Sequence, residues 1–171
     1  MMGPGGTPPV GDAPPPGVLG VLIPKQEILT RTRDAVIALT CLRVHEEGCV
    51  LELVAAARRG DRPYETWFGR TDAQAGALFA PVPGRTDPAA VRVRVAHAGA
   101  DPGTPPLLRG SAGTSTPDLL ELTLRFWLSP NPPPTPFDLV VEWPAAGIAP
   151  HRHPIDGGEI AEAARRVQRF W

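Results

Sequence analysis

Proline clusters divide this chain into short segments and limit where regular secondary structure can form. The 171 residues include 23 prolines, whereas about one residue in twenty is typical of globular proteins. Proline lacks a backbone N–H, which excludes it from helix interiors and central strands. Regular structure is therefore expected only between the clusters, and much of the chain is predicted to be loop or tail.

The first 17 residues, MMGPGGTPPVGDAPPPG, are rich in glycine and proline. Such a segment buries too little apolar surface to offset the entropy lost on ordering it. Residues 1–17 are therefore predicted to form a disordered tail, and residues 18–171 a single domain. The tail lacks the regions of a signal peptide, and no apolar run reaches the length of a membrane span. A membrane is therefore not expected as a partner.

Charge and cysteine content narrow the cellular setting. The formal net charge is −1 and no run of like charges occurs, so nucleic acid is not expected as a partner. Cys41 and Cys49 have apolar neighbours in the sequence, which favours small core residues over a disulfide. These features predict a cytoplasmic protein.

The segment VIALTCLRVHEEGCVLELVAAAR predicts a hairpin. Two apolar runs flank a Glu-Glu-Gly turn, because Gly48 can adopt the backbone conformation of a tight turn. The predicted strands cover residues 35–45 and 49–58. Both alternate sets of side chains in the first strand are mostly apolar, which is typical of a central strand. Something is therefore expected to pack over the outer face of this hairpin.

Three further segments alternate with period two, as half-buried strands do. They are VRVRVAHA at 91–98, LLELTLRFWL at 119–128 and FDLVVEW at 137–143. Residues 99–118, including Ser111 and Ser115, are predicted to be loop. Residues 60–89 are predicted to be irregular, with either a short strand or a functional loop.

The chain is predicted to end in a helix over residues 157–170. Ile160, Ala164, Val167 and Trp171 form one helical stripe, so the terminal aromatic residues are expected to dock on the domain. Together the segments predict a mainly β protein. The expected fold is an antiparallel β-sandwich, Ig-like or jelly-roll-like, with a C-terminal helix.

The stretch HRHPIDGGEIAEA allows two interpretations. His151 and His153 alternate on one side of a strand, a spacing found in cupin-type metal sites, with His45 or His97 as a third ligand. In the other interpretation, Asp156 caps the helix and Glu159 completes a capping box. The cap accounts for more of the residues. A metal- or small-molecule-binding barrel remains the alternative function.

Catalytic motifs are weakly represented. The glycines near residue 110 lack the helix or lysine of a phosphate loop, and Ser111 is not in a strand-to-helix elbow. Cys41 and His45 are about 13 Å apart along a strand, too far for a hydrogen bond. No cofactor is therefore expected, and a non-enzymatic role is favoured.

The candidate binding surface is the more polar of the two faces of the predicted strand at 119–128. Arg125 and Trp127 lie on this face, and Trp and Arg dominate interaction hot spots. Arg92 and Arg94 would extend it if their strand lies alongside. The alternative is that the loop at 60–89 or the helix covers Trp127. This surface predicts a protein-interaction or assembly module whose partner is another protein.

Two segments resemble a group of uncharacterised proteins from GC-rich actinobacteria. Those proteins begin with a strand similar to EILTRTRDAVIALTCLRVHEEG and end with a segment similar to FDLVVEWPAAGI, followed by an Ala-rich helix that closes on Trp. The resemblance covers residues 25–58 and 119–171. It implies the same β-rich fold and leaves the function open.

Overall fold

A computed structural model describes residues 11–67, 90–97 and 105–171 of the chain. The strands, in chain order, are β1 (Val18–Leu19), β2 (Val21–Arg31), β3 (Ala35–Val44), β4 (Cys49–Arg58), β5 (Arg92–Ala96), β6 (Leu107–Ser115), β7 (Leu119–Leu128), β8 (Phe137–Trp143), β9 (Ile148–Ile155) and β10 (Gln168–Arg169). A 3₁₀ turn at Pro144–Ala146 joins β8 to β9, and the C-terminal helix is Gly157–Ala164. The chain is thus a mainly β protein, as the sequence predicts.

The strands form two antiparallel sheets and a short terminal pair. The five-stranded sheet has the order β2, β3, β4, β7, β6, and the three-stranded sheet has the order β5, β8, β9. β1 pairs with β10. The predicted hairpin forms as β3 and β4, and β7 and β8 have the predicted bounds. The alternation of apolar residues in these segments accounts for where these strands form.

The core lies between the two sheets. One set of alternate side chains on each central strand is buried, and together these side chains form a single apolar cluster. The largest fully buried members are Trp143, Ile37, Leu39, Leu42, Leu51, Leu53, Leu120, Leu122, Leu124, Leu139 and Ile148. Each such side chain contributes about 1.5–3 kcal/mol on burial, so this cluster fixes the register of both sheets.

Residues 107–115 form a strand where the sequence predicts loop. β6 pairs with β7 along its length, with Ala112 opposite Thr123, and it borders the five-stranded sheet. Its small side chains lack an apolar alternation, because an edge strand beyond the core need not bury one face. The predicted loop at 99–118 is therefore wrong for this part, and Ser111 and Ser115 lie on a strand.

The C-terminal helix ends six residues earlier than predicted. Its last residue is Ala164, and Gln168 and Arg169 instead pair with β1. The N–H of Phe170 donates to the carbonyl of Gly17 at 3.0 Å. Trp171 is 96% exposed, so the predicted docking of the terminal stripe is wrong at that position. Strand pairing with β1 replaces the last helical turns.

The described part of the chain begins before the predicted domain boundary. Residues 11–17 of the predicted tail contact the domain, through Gly11 and Gly17. Part of the predicted tail therefore contacts the domain, and the boundary at residue 18 stays a prediction. Residues 1–10 lie outside the described residues.

One side of the sandwich is closed by polar contacts between the sheets. β2 contacts β9 and the C-terminal helix. His153 Nε2 donates to Glu27 Oε2 at 2.7 Å, and Lys25 forms an ion pair with Glu159. A register shift between Pro24 and Glu27 changes the face to which the following side chains point. This β-bulge therefore occurs where the Glu27 side chain points toward β9.

Candidate interaction site

The four residues of the predicted binding surface do not share one face. Arg125 lies on β7 in the five-stranded sheet, whereas Arg92 and Arg94 lie on β5 in the other sheet. Arg125 pairs with Glu52 at 2.9 Å, and Arg92 pairs with Glu142 at 3.5 Å. The expected joint surface of Arg92, Arg94 and Arg125 is therefore wrong. Sequence alternation gives the face of a strand but not the sheet to which it belongs.

Trp127 is buried rather than exposed. Only 1% of its surface is accessible, and its Nε1 donates to the carbonyl of Gly11 at 2.7 Å. Its ring meets the His45 ring edge-on, with the ring centroids 5.9 Å apart. Gly11 lies before β1, outside both of the covers suggested by the sequence. Most of the loop at 60–89 lies outside the described residues. Trp127 therefore anchors the N-terminal segment, and the expectation that it is exposed is wrong.

His45 is buried beside Trp127 without a hydrogen-bond partner for either ring nitrogen among the described residues. Burial lowers the pKa of His45, and the nearby charge of Arg43 lowers it further. A Cβ atom at Gly20 would lie 2.8 Å from the His45 ring, so the N-terminal strands pack closely on it. Both effects favour the neutral form of His45.

The two histidines of β9 have different surroundings. His151 is exposed, whereas His153 is partly buried against Glu27. His97 packs against the ring of Phe137 with ring centroids 5.7 Å apart. Across residues 11–67, 90–97 and 105–171, no group of three or more His, Cys, Asp or Glu side chains is placed to hold a metal ion. The structure thus adds no third ligand to His151 and His153.

The capping interpretation of the same stretch is supported by geometry. Asp156 has an extended backbone, and its Oδ1 accepts a hydrogen bond from the N–H of Gly158 at 2.8 Å. Asp156 is therefore the N-cap, as predicted. Glu159 extends to Lys25 on β2, so it ties the helix to the sheet.

The cysteines show no feature of a reactive pair. Cys41 and Cys49 are both free. Burial raises the pKa of the Cys49 thiol to about 12, which keeps it protonated at neutral pH and unreactive. Cys49 is thus a small core residue, as the sequence predicts.

An apolar surface lies on the outer face of the five-stranded sheet, the face over which the sequence predicts that something packs. Residues directly opposite one another run Ile28, Ala38, Val54 across β2, β3 and β4, and Val36 faces Ala56 in the next row. We call Ile28, Val36, Ala38, Val54, Ala56 and Leu119 the outer patch. Ile28 is 55% exposed and Leu119 is 40% exposed. The two apolar faces of the hairpin were the signal for this surface.

A depression of about 550 Å³ opens at one end of the outer patch. Ile28, Val36, Ala56 and Leu119 contribute its apolar lining. Arginines stand around it, on β2, on the turn after β2 and at the end of β4: Arg31, Arg33 and Arg58. Asp34 also lines it, so the depression combines an apolar floor with a rim of three arginines and one aspartate.

Comparisons with known proteins give no guidance for this site, because no family model, curated protein or solved structure matches the chain. The resemblance to actinobacterial proteins stays a prediction. Among the described helices, none is both long enough and apolar enough to cross a membrane.

Proposed function

We propose that the chain is a non-enzymatic protein-interaction or assembly module whose partner is another protein. The observation that carries this proposal is the outer patch, where exposed Ile28 and Leu119 border a depression between them. The solvated face of an antiparallel sheet normally carries polar side chains. Covering an apolar patch removes its area from water at about 25 cal/mol per Å², which favours association.

The sequence of the hairpin supports the same proposal. Both faces of β3 are largely apolar, a pattern typical of strands covered on both sides. The second sheet covers the inner face. On the outer face, Val36, Ala38, Val54 and Ala56 are only half-buried. A partner that covers them would complete the environment that the pattern indicates.

Arg125 keeps a place in the proposed surface, whereas Trp127, Arg92 and Arg94 do not. Glu52 and Val54 are two residues apart on β4 and point to the same face of the sheet. The Arg125–Glu52 pair therefore lies next to Val54 on that face. Exposed charges around an apolar centre form the polar rim that is typical of protein interfaces.

We also propose a cytoplasmic location, which the free thiols of Cys41 and Cys49 support.

Affinity capture of the tagged chain from its source organism, read by mass spectrometry, tests this function. We expect a near-stoichiometric protein partner that is lost with Ile28→Glu. Arg94→Gln is the matched control, because it changes the net charge by the same amount on the other sheet. Absence of a partner, or a partner retained by Ile28→Glu, would contradict the proposed surface.

A further inference from the structure

We propose that the depression at the end of the outer patch binds a segment of the partner protein in which an aliphatic side chain lies next to a carboxylate. This inference rests on the proposed interaction function and names the chemistry of the partner. The aliphatic group would occupy the floor formed by Ile28, Val36, Ala56 and Leu119. The carboxylate would pair with Arg31.

The wall of the depression is held in place by a hydrogen-bonded turn between β2 and β3. Thr32 Oγ1 accepts a hydrogen bond from the N–H of Ala35 at 3.1 Å, and the N–H of Thr32 donates to the Ala35 carbonyl at 2.8 Å. Arg58 donates to Asp34 Oδ1 and to the Arg33 carbonyl, both at 2.9 Å. A wall fixed in this way loses little conformational entropy when a partner binds.

The charges around the depression favour an anionic group. Arg58 is paired with Asp34 at 2.9 Å, and Arg33 is paired with Asp61 at 2.9 Å. No ion pair joins Arg31 to any residue in the described part of the chain. Arg31 therefore leaves one uncompensated positive charge beside the apolar floor. A planar guanidinium is well suited to a carboxylate, because it donates two parallel hydrogen bonds.

The openness of the depression favours a chain segment over an enclosed small molecule. Small-molecule sites bury most of the ligand surface in a cleft. Here Ile28 and Leu119 remain 55% and 40% exposed while they line the depression, so the surface stays shallow. A shallow apolar surface with one charge at its edge fits a side chain and its neighbour on a longer segment.

Selection of peptides against the full-length chain tests this inference. The probe is a surface-displayed library of random ten-residue peptides, and the variants are Ile28→Thr and Arg31→Glu. Arg94→Glu is the charge-matched control on the opposite sheet. Ile28 and Arg31 are exposed, and thermal melting would verify that both variants fold as the unaltered chain does.

We expect enriched peptides that place Asp or Glu beside an aliphatic residue. Their affinity should fall about tenfold or more with Arg31→Glu, fall with Ile28→Thr and stay unchanged with Arg94→Glu. Peptides that need Ile28 but lack an acidic residue would overturn the carboxylate. Peptides indifferent to both variants would overturn the depression as the site, while the interaction function itself would stand.

A library that yields no peptide would also overturn the inference. The affinity capture described above then decides the interaction function separately, because it does not depend on the acidic character of the partner. A captured partner that is lost with Ile28→Glu and retained with Arg31→Glu would place binding on the outer patch without a carboxylate contact.

Discussion

At the residue scale, the end of the sandwich near Trp127 shows how one close contact fixes a strand end. Gly48 lies in the turn between β3 and β4, where an added Cβ atom would be 2.4 Å from the Leu128 carbonyl oxygen and 2.7 Å from the Trp127 ring. Neither backbone nor a buried indole can move away easily. Packing therefore requires this glycine. Its φ is not positive, so the glycine-specific turn conformation that the sequence predicts is wrong at this position.

Gly48→Ala should lower the free energy of unfolding by about 1–3 kcal/mol, the usual cost of forcing atoms into a packed region. Gly110→Ala is the control, because its Cβ would make only ordinary contacts at 3.9 Å. Urea unfolding of both variants provides the measurement. Equal stability of the two variants would show that the turn relaxes around the added methyl group.

The buried His45 predicts how stability depends on pH. The folded state lowers the pKa of His45, so the unfolded chain binds the proton more readily. The stability that comes from neutral His45 is fully present above the ordinary histidine pKa of about 6.5. It is lost as the pH falls below that value toward the lowered pKa of the folded state.

Urea unfolding of the unaltered chain and of His45→Leu, compared at about pH 7.5 and about pH 5.5, measures this effect, with the window placed around the histidine pKa. We expect the unaltered chain to lose more stability than the variant between these conditions. Parallel losses would show that other groups account for the acid sensitivity.

At the element scale, the C-terminal helix depends on its N-cap. Asp156→Ala removes the hydrogen bond to Gly158 and should lower the free energy of unfolding by about 0.5–2 kcal/mol. Asp156→Ser retains a capping oxygen and should recover most of the loss. Chemical denaturation followed by circular dichroism measures both variants. Release of a bound metal by Asp156→Ala, without a loss of stability, would instead revive the metal interpretation of His151 and His153.

The same scale shows which elements the sequence can predict. β7 and β8 are fully specified by their alternation, because a one-residue slip would expose every buried side chain. β6 carries no such pattern, and pairing with β7 alone makes it a strand. The helix stops at Ala164 because residues 168–169 find a partner in β1, a contact between the two ends of the described chain.

At the scale of the whole molecule, two polar pairs hold β2 to the other sheet and to the helix. The Lys25 side chain is only 14% exposed where it meets Glu159, whereas the Arg33–Asp61 pair is largely exposed. The Glu159 side chain is 42% exposed, so the pair is partly buried. Removing one partner of such a pair leaves the other charge without compensation. Exposed pairs contribute only about 0–1 kcal/mol.

A double-mutant cycle of Lys25→Met and Glu159→Gln should therefore give a coupling energy above about 1 kcal/mol, and a parallel cycle of Arg33→Gln and Asp61→Asn a smaller one. Urea unfolding of the single and double variants provides the energies. If the two cycles give the same coupling, the closed side of the sandwich does not depend on the Lys25–Glu159 pair.

The sequence by itself determined the strands β3, β4, β7 and β8, the capped start of the helix and the antiparallel β class. These features depend on patterns within about ten neighbouring residues. Only the tertiary structure decided that β5 and β7 belong to different sheets, that Trp127 is buried and bonded to Gly11, and that Ile28 stays exposed beside Arg31. The reason is physical: alternation assigns a side chain to one face of its own strand, whereas distant parts of the chain decide what meets that face.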